Sequence, residues 1–140
     1  MDYDRIADLP LTIESVASER HERETSSEFT RVTTEFELSG PVADGDGTVT
    51  GRGEDVTYET EDHDRLAETG LPELTGDYTF ESFSKRLADL DLFPGGAPDR
   101  EVFRNYRRWG IESAALDLAL RQAETDVASV LERSLEPVRF

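Results

Sequence analysis

Residues 105–122, NYRRWGIESAALDLALRQ, are the stretch from which the fold can be read. Ile111, Ala114, Ala115, Leu118 and Ala119 recur at helical spacing and make one apolar stripe. Leu116 and Leu120 fall outside it and widen the apolar surface past a single side. A helix apolar on two sides needs two partners. A sheet from the same chain is expected to cover the first, and the second side is expected to face something further.

Upstream, the period is two. Val32, Thr34, Phe36 and Leu38 alternate with Arg31, Thr33, Glu35 and Glu37, which predicts a strand over 30–38 with one buried and one wet face. Asp44-Gly45 and Asp46-Gly47 are hairpin dipeptides, and a further strand is expected from Thr48 to about Tyr58. An earlier strand is expected over 9–21, with Leu9, Leu11 and Ile13 on one face, followed by a polar loop over 22–28. Three strands with short links make an antiparallel meander.

After Tyr58 the period lengthens. A short helix over 62–69 closes at Gly70 and Pro72. Thr79 is a good N-cap for a helix with Phe80, Phe83, Leu87 and Leu90 on one face, broken by residues 94–98. The long helix should start near Asp99. Thr125 or Asp126 should cap a last short helix holding Val127, Val130 and Leu131, and residues 137–140 read as the start of a strand. Strands first and helices after indicate an α+β fold, a three-stranded antiparallel meander with helices packed on one face.

Composition excludes several functions. At 140 residues the length suits one domain, and the absence of cysteine removes disulfide and thiolate chemistry. No apolar run reaches the ~18 residues of a membrane span, and no signal pattern opens the chain, so the expectation is a cytoplasmic protein without membrane contact. Asp and Glu total 32 against 15 Lys and Arg, a net charge of −17, and Lys85 is the sole lysine. The acids are dispersed from Asp2 to Glu136, which fits a surface adapted to high salt. Nucleic-acid binding is not expected, because phosphate contacts need basic patches.

Candidate chemistry is thin. His21 and His63 each sit among acids, read as surface residues, and no ligand cluster accompanies them, so no metal site is expected in this chain. Ser26-Ser27 lack a strand–turn–helix context and a partner histidine. Gly51-Arg52-Gly53-Glu54 opens no helix and so is no phosphate loop; glycines in a strand mark a bulge or a close backbone approach. Arg100, Arg104, Arg107 and Arg108 should pair with nearby carboxylates. No catalytic constellation results.

Three features in order carry a resemblance: Gly51-Arg52-Gly53-Glu54 in the third strand, the helix segment from Gly110 to Ala119, and Asp126–Leu131 ahead of Pro137-Val138-Arg139-Phe140. Together they resemble the N-terminal capping domain of the enolase superfamily, in the style of mandelate racemase and muconate lactonising enzyme. The resemblance implies that residues 1–136 cap a (β/α)₈ barrel whose first strand begins at 137–140. It also implies a parent lyase or isomerase in which the barrel holds Mg²⁺ and supplies the bases for proton abstraction α to a carboxylate. No catalytic residue, cofactor or metal ligand is then expected in this chain.

Two lid loops would enclose a small carboxylate substrate. Glu24, Thr25, Ser26, Ser27 and Phe29 stand in the first, and Val56 and Tyr58, within the segment 55–58, in the second. The side of the long helix bearing Leu116 and Leu120 would face the barrel, or serve a homo-oligomer contact. The alternatives are a stand-alone acidic α+β domain acting by binding or self-association and, last, an acidic decoy for basic proteins.

Overall fold

A computed structural model describes residues 6–24, 30–43, 46–57, 59–98, 100–126 and 129. Five strands run β1 Pro10–Ile13, β2 Ser15–Glu24, β3 Thr30–Pro41, β4 Thr48–Asp55 and β5 Gly76–Thr79. Among the described residues the longer helices run α1 Thr60–Thr69, α2 Phe80–Asp89 and α3 Val102–Gln122. β2, β3 and β4 form the antiparallel meander, with Phe36 opposite both Ser18 and Gly53. The architecture is α+β, and the alternation in β3 is the expected one: Val32, Thr34, Phe36 and Leu38 are buried.

The expected first strand is in fact two. The inward phase shifts at Glu14, from Leu11 and Ile13 to Val16, and the chain changes sheet there. β1 pairs with β5 in a separate two-stranded antiparallel sheet, which sequence periodicity did not indicate. The amide of Gln122 lies against the other side of β1 as a strand would. Its Oε1 accepts from the Thr12 backbone N–H at 3.1 Å, and its Nε2 donates to the Thr12 carbonyl at 2.7 Å. β2 then runs to Glu24, into the stretch expected as loop, because residues 22–24 remain paired to 30–32 of β3. Its sequence SERHERE suits an exposed edge strand, where charges discourage pairing with another chain.

Helix α3 lies on β4 at backbone contact. A Cβ on Gly51 would fall 2.2 Å from the Ala114 carbonyl oxygen, and one on Gly53 would fall 2.0 Å from that of Gly110. Gly110 answers in kind, since its own Cβ would meet the Glu54 carbonyl oxygen at 2.7 Å. The Gly-x-Gly is therefore a close-approach device, as its place in a strand suggested. That approach seals Ile111, Ala114, Ala115 and Leu118 against Phe36 and Leu38 in one core. Asp117 adds a bond to the strand, accepting the Arg52 backbone N–H at 3.1 Å.

The helix ends follow local rules. Thr79 and Ser82 form a reciprocal capping box at α2, and the Gly70 N–H closes α1 on the Leu66 carbonyl with φ +73°. α3 begins at Val102, later than the expected Asp99, and Asp99 lies outside the described residues. β4 ends at Asp55, short of Tyr58, which is also outside them. Asp126 accepts the Ser129 N–H at 2.8 Å, the bond of an N-cap. Val127, Val130, Leu131 and residues 137–140 lie outside the described residues.

The second apolar side of α3 is mostly covered by the chain itself. Leu120 is buried and Leu116 packs half-buried against the core, so neither stands bare as expected. Trp109, 55 % exposed, is the large apolar side chain that α3 turns outward.

Candidate functional site

The strand register brings the described ends of β2 and β4, Glu24 and Asp55, toward one end of the sheet. Glu24, exposed at the end of β2, faces Thr30, while Asp55 at the end of β4 faces Thr34. These two ends therefore lie four residues apart along β3. Arg31 of β3 reaches the segment after β4, its Nη2 donating to the Val56 carbonyl at 2.6 Å. Val56 carries its side chain outward at 41 % exposure. Thr25, Ser26, Ser27 and Phe29 lie outside the described residues, as does Tyr58.

Beneath this end, the outer face of the sheet forms a cleft of about 440 Å³ lined by residues including His21, Arg23, Arg31, Glu35, Glu54 and Val56. Arg23 lies directly opposite Arg31 on neighbouring strands, at the lid end of the cleft. Arg20, on the other face of β2, is held further toward its charged form by its bond to Glu22 and by Asp64 of α1, 2.9 Å away.

Behind Val56 the chain is anchored by buried polar groups. Arg107 is only 1 % exposed, and its Nε donates to Asp55 Oδ2 at 2.7 Å. Its Nη1 and Nη2 donate to the Leu92 and Asp62 carbonyls, and the guanidinium lies 3.8 Å from the Phe93 ring centroid. Asp55 Oδ1 accepts both the backbone N–H and the hydroxyl of Thr57, at 3.0 and 2.6 Å. The Thr57 carbonyl in turn accepts from His63 Nε2 at 2.8 Å, which assigns the ring proton to Nε2 in the neutral tautomer. Thr34 Oγ1 then donates to Nδ1 at 2.8 Å.

One expectation is corrected by this network. His63 is fully buried, not on the surface, because α1 turns it inward with Leu66. Asp55 and Thr57 are buried as well, so only Val56 of the described second-lid residues reaches solvent. A hydroxyl on an imidazole nitrogen is also the geometry of an activated nucleophile. Thr34 and His63 are both buried, which suits a structural bond. The signal for the network was present: Arg107 lies four residues before Ile111, in phase with the apolar stripe of α3. A charge in that phase requires a buried partner.

Of the other arginines in the run, Arg104 and Arg108 pair with carboxylates as expected, Glu101 at 3.2 Å and Glu112 at 2.8 Å, and Arg100 is placed against the Phe103 ring. His21 is exposed on β2, as expected. Among the described residues, no helix is long and apolar enough to cross a membrane.

With this geometry in view, comparison with known families gives one match. The model of the family described as the N-terminal domain of a domain of unknown function, DUF8230, matches residues 4–130. The chain belongs to that family. No curated protein and no solved structure matches it. The family description assigns no activity, so the functional reading rests on the site.

Proposed function

We propose that this chain is the substrate-capping, specificity-setting N-terminal domain of an enolase-superfamily enzyme, working against a (β/α)₈ barrel that supplies Mg²⁺ and the bases. The observation that supports the reading is the position of Glu24 and Val56 toward one end of the sheet, with the Val56 carbonyl held by Arg31 of β3. A lid must present side chains from a fixed backbone, since ordering a loose loop on substrate costs affinity. Val56 meets that requirement, exposed between a carbonyl held by Arg31 and the buried Asp55–Thr57–Arg107 anchor.

Arg23 and Arg31, facing each other beside Val56, suit a substrate bearing a carboxylate, for which guanidinium is the favoured partner. The family's description as an N-terminal domain agrees with a second domain following it. Trp109 and the half-buried Leu116 offer a small apolar surface to such a domain or to a second copy. The dispersed acids and net charge of −17 suit the cytoplasm of a high-salt organism.

The test is the full-length gene product in D₂O with Mg²⁺. It should exchange the α-proton of small carboxylic acids, and its sequence beyond Phe140 should carry a Lys-x-Lys and then acids at the ends of three successive strands. Val56→Ala and Glu24→Ala should change KM and substrate preference more than kcat. A gene product without the lysine pair and the three acids would overturn the proposal.

A further inference from the structure

The outer face of the meander carries charges that strand pairing ordinarily avoids. Glu19 lies directly opposite Glu35, and Glu35 directly opposite Glu54, so three carboxylates form one row across β2, β3 and β4. Like charges directly opposite one another destabilise a sheet. The same face also holds a favourable pair, where Glu37 faces Arg52 with 3.9 Å between their charged groups, and a second like-charge pair, Arg23 facing Arg31. Among the described residues, neither Glu19 nor Glu54 has an ion-pair partner. Glu35 has, among the described residues, the His21 Nε2 at 3.8 Å. His21 follows Glu19 by two residues on the same strand and so shares its face. Glu19, His21 and Glu35 each offer one ligand atom, and the three atoms lie within 4.8 Å of one another.

We propose that Glu19, His21 and Glu35 form a surface site for a divalent transition-metal ion of the zinc type. One imidazole nitrogen with two carboxylate oxygens favours Zn²⁺, Ni²⁺ or Cu²⁺, whereas Mg²⁺ and Ca²⁺ take oxygen shells. Metal–ligand bonds of about 2.0–2.2 Å bring donor atoms to roughly 3.3 Å from one another. The remaining closure falls to side-chain rotation alone, because the β2–β3 ladder fixes the three Cα positions. A cation there also removes the repulsion between Glu19 and Glu35, which supplies a physical reason for the row. Three protein ligands from two strands leave coordination positions open to water or to an anion in the cleft that His21 and Glu35 line. The cluster is invisible in the sequence, where residues 19 and 21 are far from 35, and it is created by register alone.

Zinc titration of the full chain by calorimetry, with imidazole resonances followed by NMR, tests the site. KCl should be high enough to screen the general attraction of cations to a net charge of −17. One saturable event is expected, in which the His21 ring signals move and those of buried His63 do not. His21→Ala and Glu35→Gln should each weaken binding by about tenfold or more. Glu68→Gln, an exposed acid on α1, should leave binding unchanged and controls for loss of charge alone. Mg²⁺ at equal concentration should not displace the zinc. Non-saturating uptake, displacement by Mg²⁺, or wild-type affinity in His21→Ala would overturn the proposal.

Discussion

Replacing Arg107 with methionine should be among the most damaging single changes available to this domain. The substitution keeps an apolar stem beside Phe93 but strips Asp55 Oδ2 of its donor and leaves the Leu92 and Asp62 carbonyls without theirs. Removing one partner of a buried ion pair costs about 3–5 kcal/mol, because the remaining charge stays desolvated. Against a total stability on the order of 5–15 kcal/mol, that is a large fraction. With a urea slope of ~2 kcal/mol per M, the unfolding midpoint should fall by roughly 2 M. Trp109, the sole tryptophan and two residues from Arg107, reports the transition by fluorescence.

Asp55→Asn should cost a similar amount. The double variant Asp55→Asn/Arg107→Met should be less destabilised than the two singles together, by about 0.5–3 kcal/mol of coupling. The loss should persist at high salt, since both groups are shielded from solvent ions, whereas an exposed pair such as Lys85–Glu81 should contribute nothing there. A single-variant cost below about 1 kcal/mol, or strict additivity, would refute the anchor.

Gly53→Ala would push a methyl group into the Gly110 carbonyl at 2.0 Å, so the helix must lift by roughly 1.5 Å to reach ordinary contact. A loss of about 3 kcal/mol is expected in thermal unfolding, and a change within ~0.5 kcal/mol would contradict the close approach. Gln122→Leu removes both bonds to the Thr12 backbone and should cost ~1–3 kcal/mol. Unchanged amide exchange at Thr12 would show that the side chain does not stand in for a strand.

The Thr75 hydroxyl and then its backbone N–H hold the Glu73 carboxyl below the ordinary glutamate value. The associated stability is present above the unfolded value and is lost as pH falls through the folded one. Carbon NMR titration should show the low midpoint, and Thr75→Ala should raise it; an unmoved midpoint would rule out the hydroxyl as its cause.

Local rules carried much of the fold. The strict alternation in β3 has a single reading, because a period of two can bury one face only on a sheet. Thr79 opens α2 and Gly70 closes α1 through bonds to residues three or four positions away, so nearest neighbours suffice to specify them. The stripe Ile111–Leu118 likewise fixes which side of α3 meets the sheet. β5 escaped because four residues, Gly76–Thr79, are too few to show a period, and their partner β1 lies over sixty positions earlier. His63 reads as a surface residue because its neighbours Asp62 and Asp64 are acids, yet it is buried and so is Asp62.

By itself, then, the sequence determined the meander, the helix caps, the apolar stripe and the glycines that admit a helix backbone onto β4. These depend on backbone sterics and on bonds within a turn of chain. Tertiary structure alone decided which polar groups are buried, with Arg107, Asp55 and His63 of three elements and Thr57 of the segment after β4 drawn into one bonded set. It also decided which charges share a face, setting Glu19 against Glu35 and Arg23 against Arg31. The physical reason is the same for both. A polar or charged side chain has no intrinsic preference strong enough to fix its surroundings. Its place is set by partners that only long-range pairing delivers.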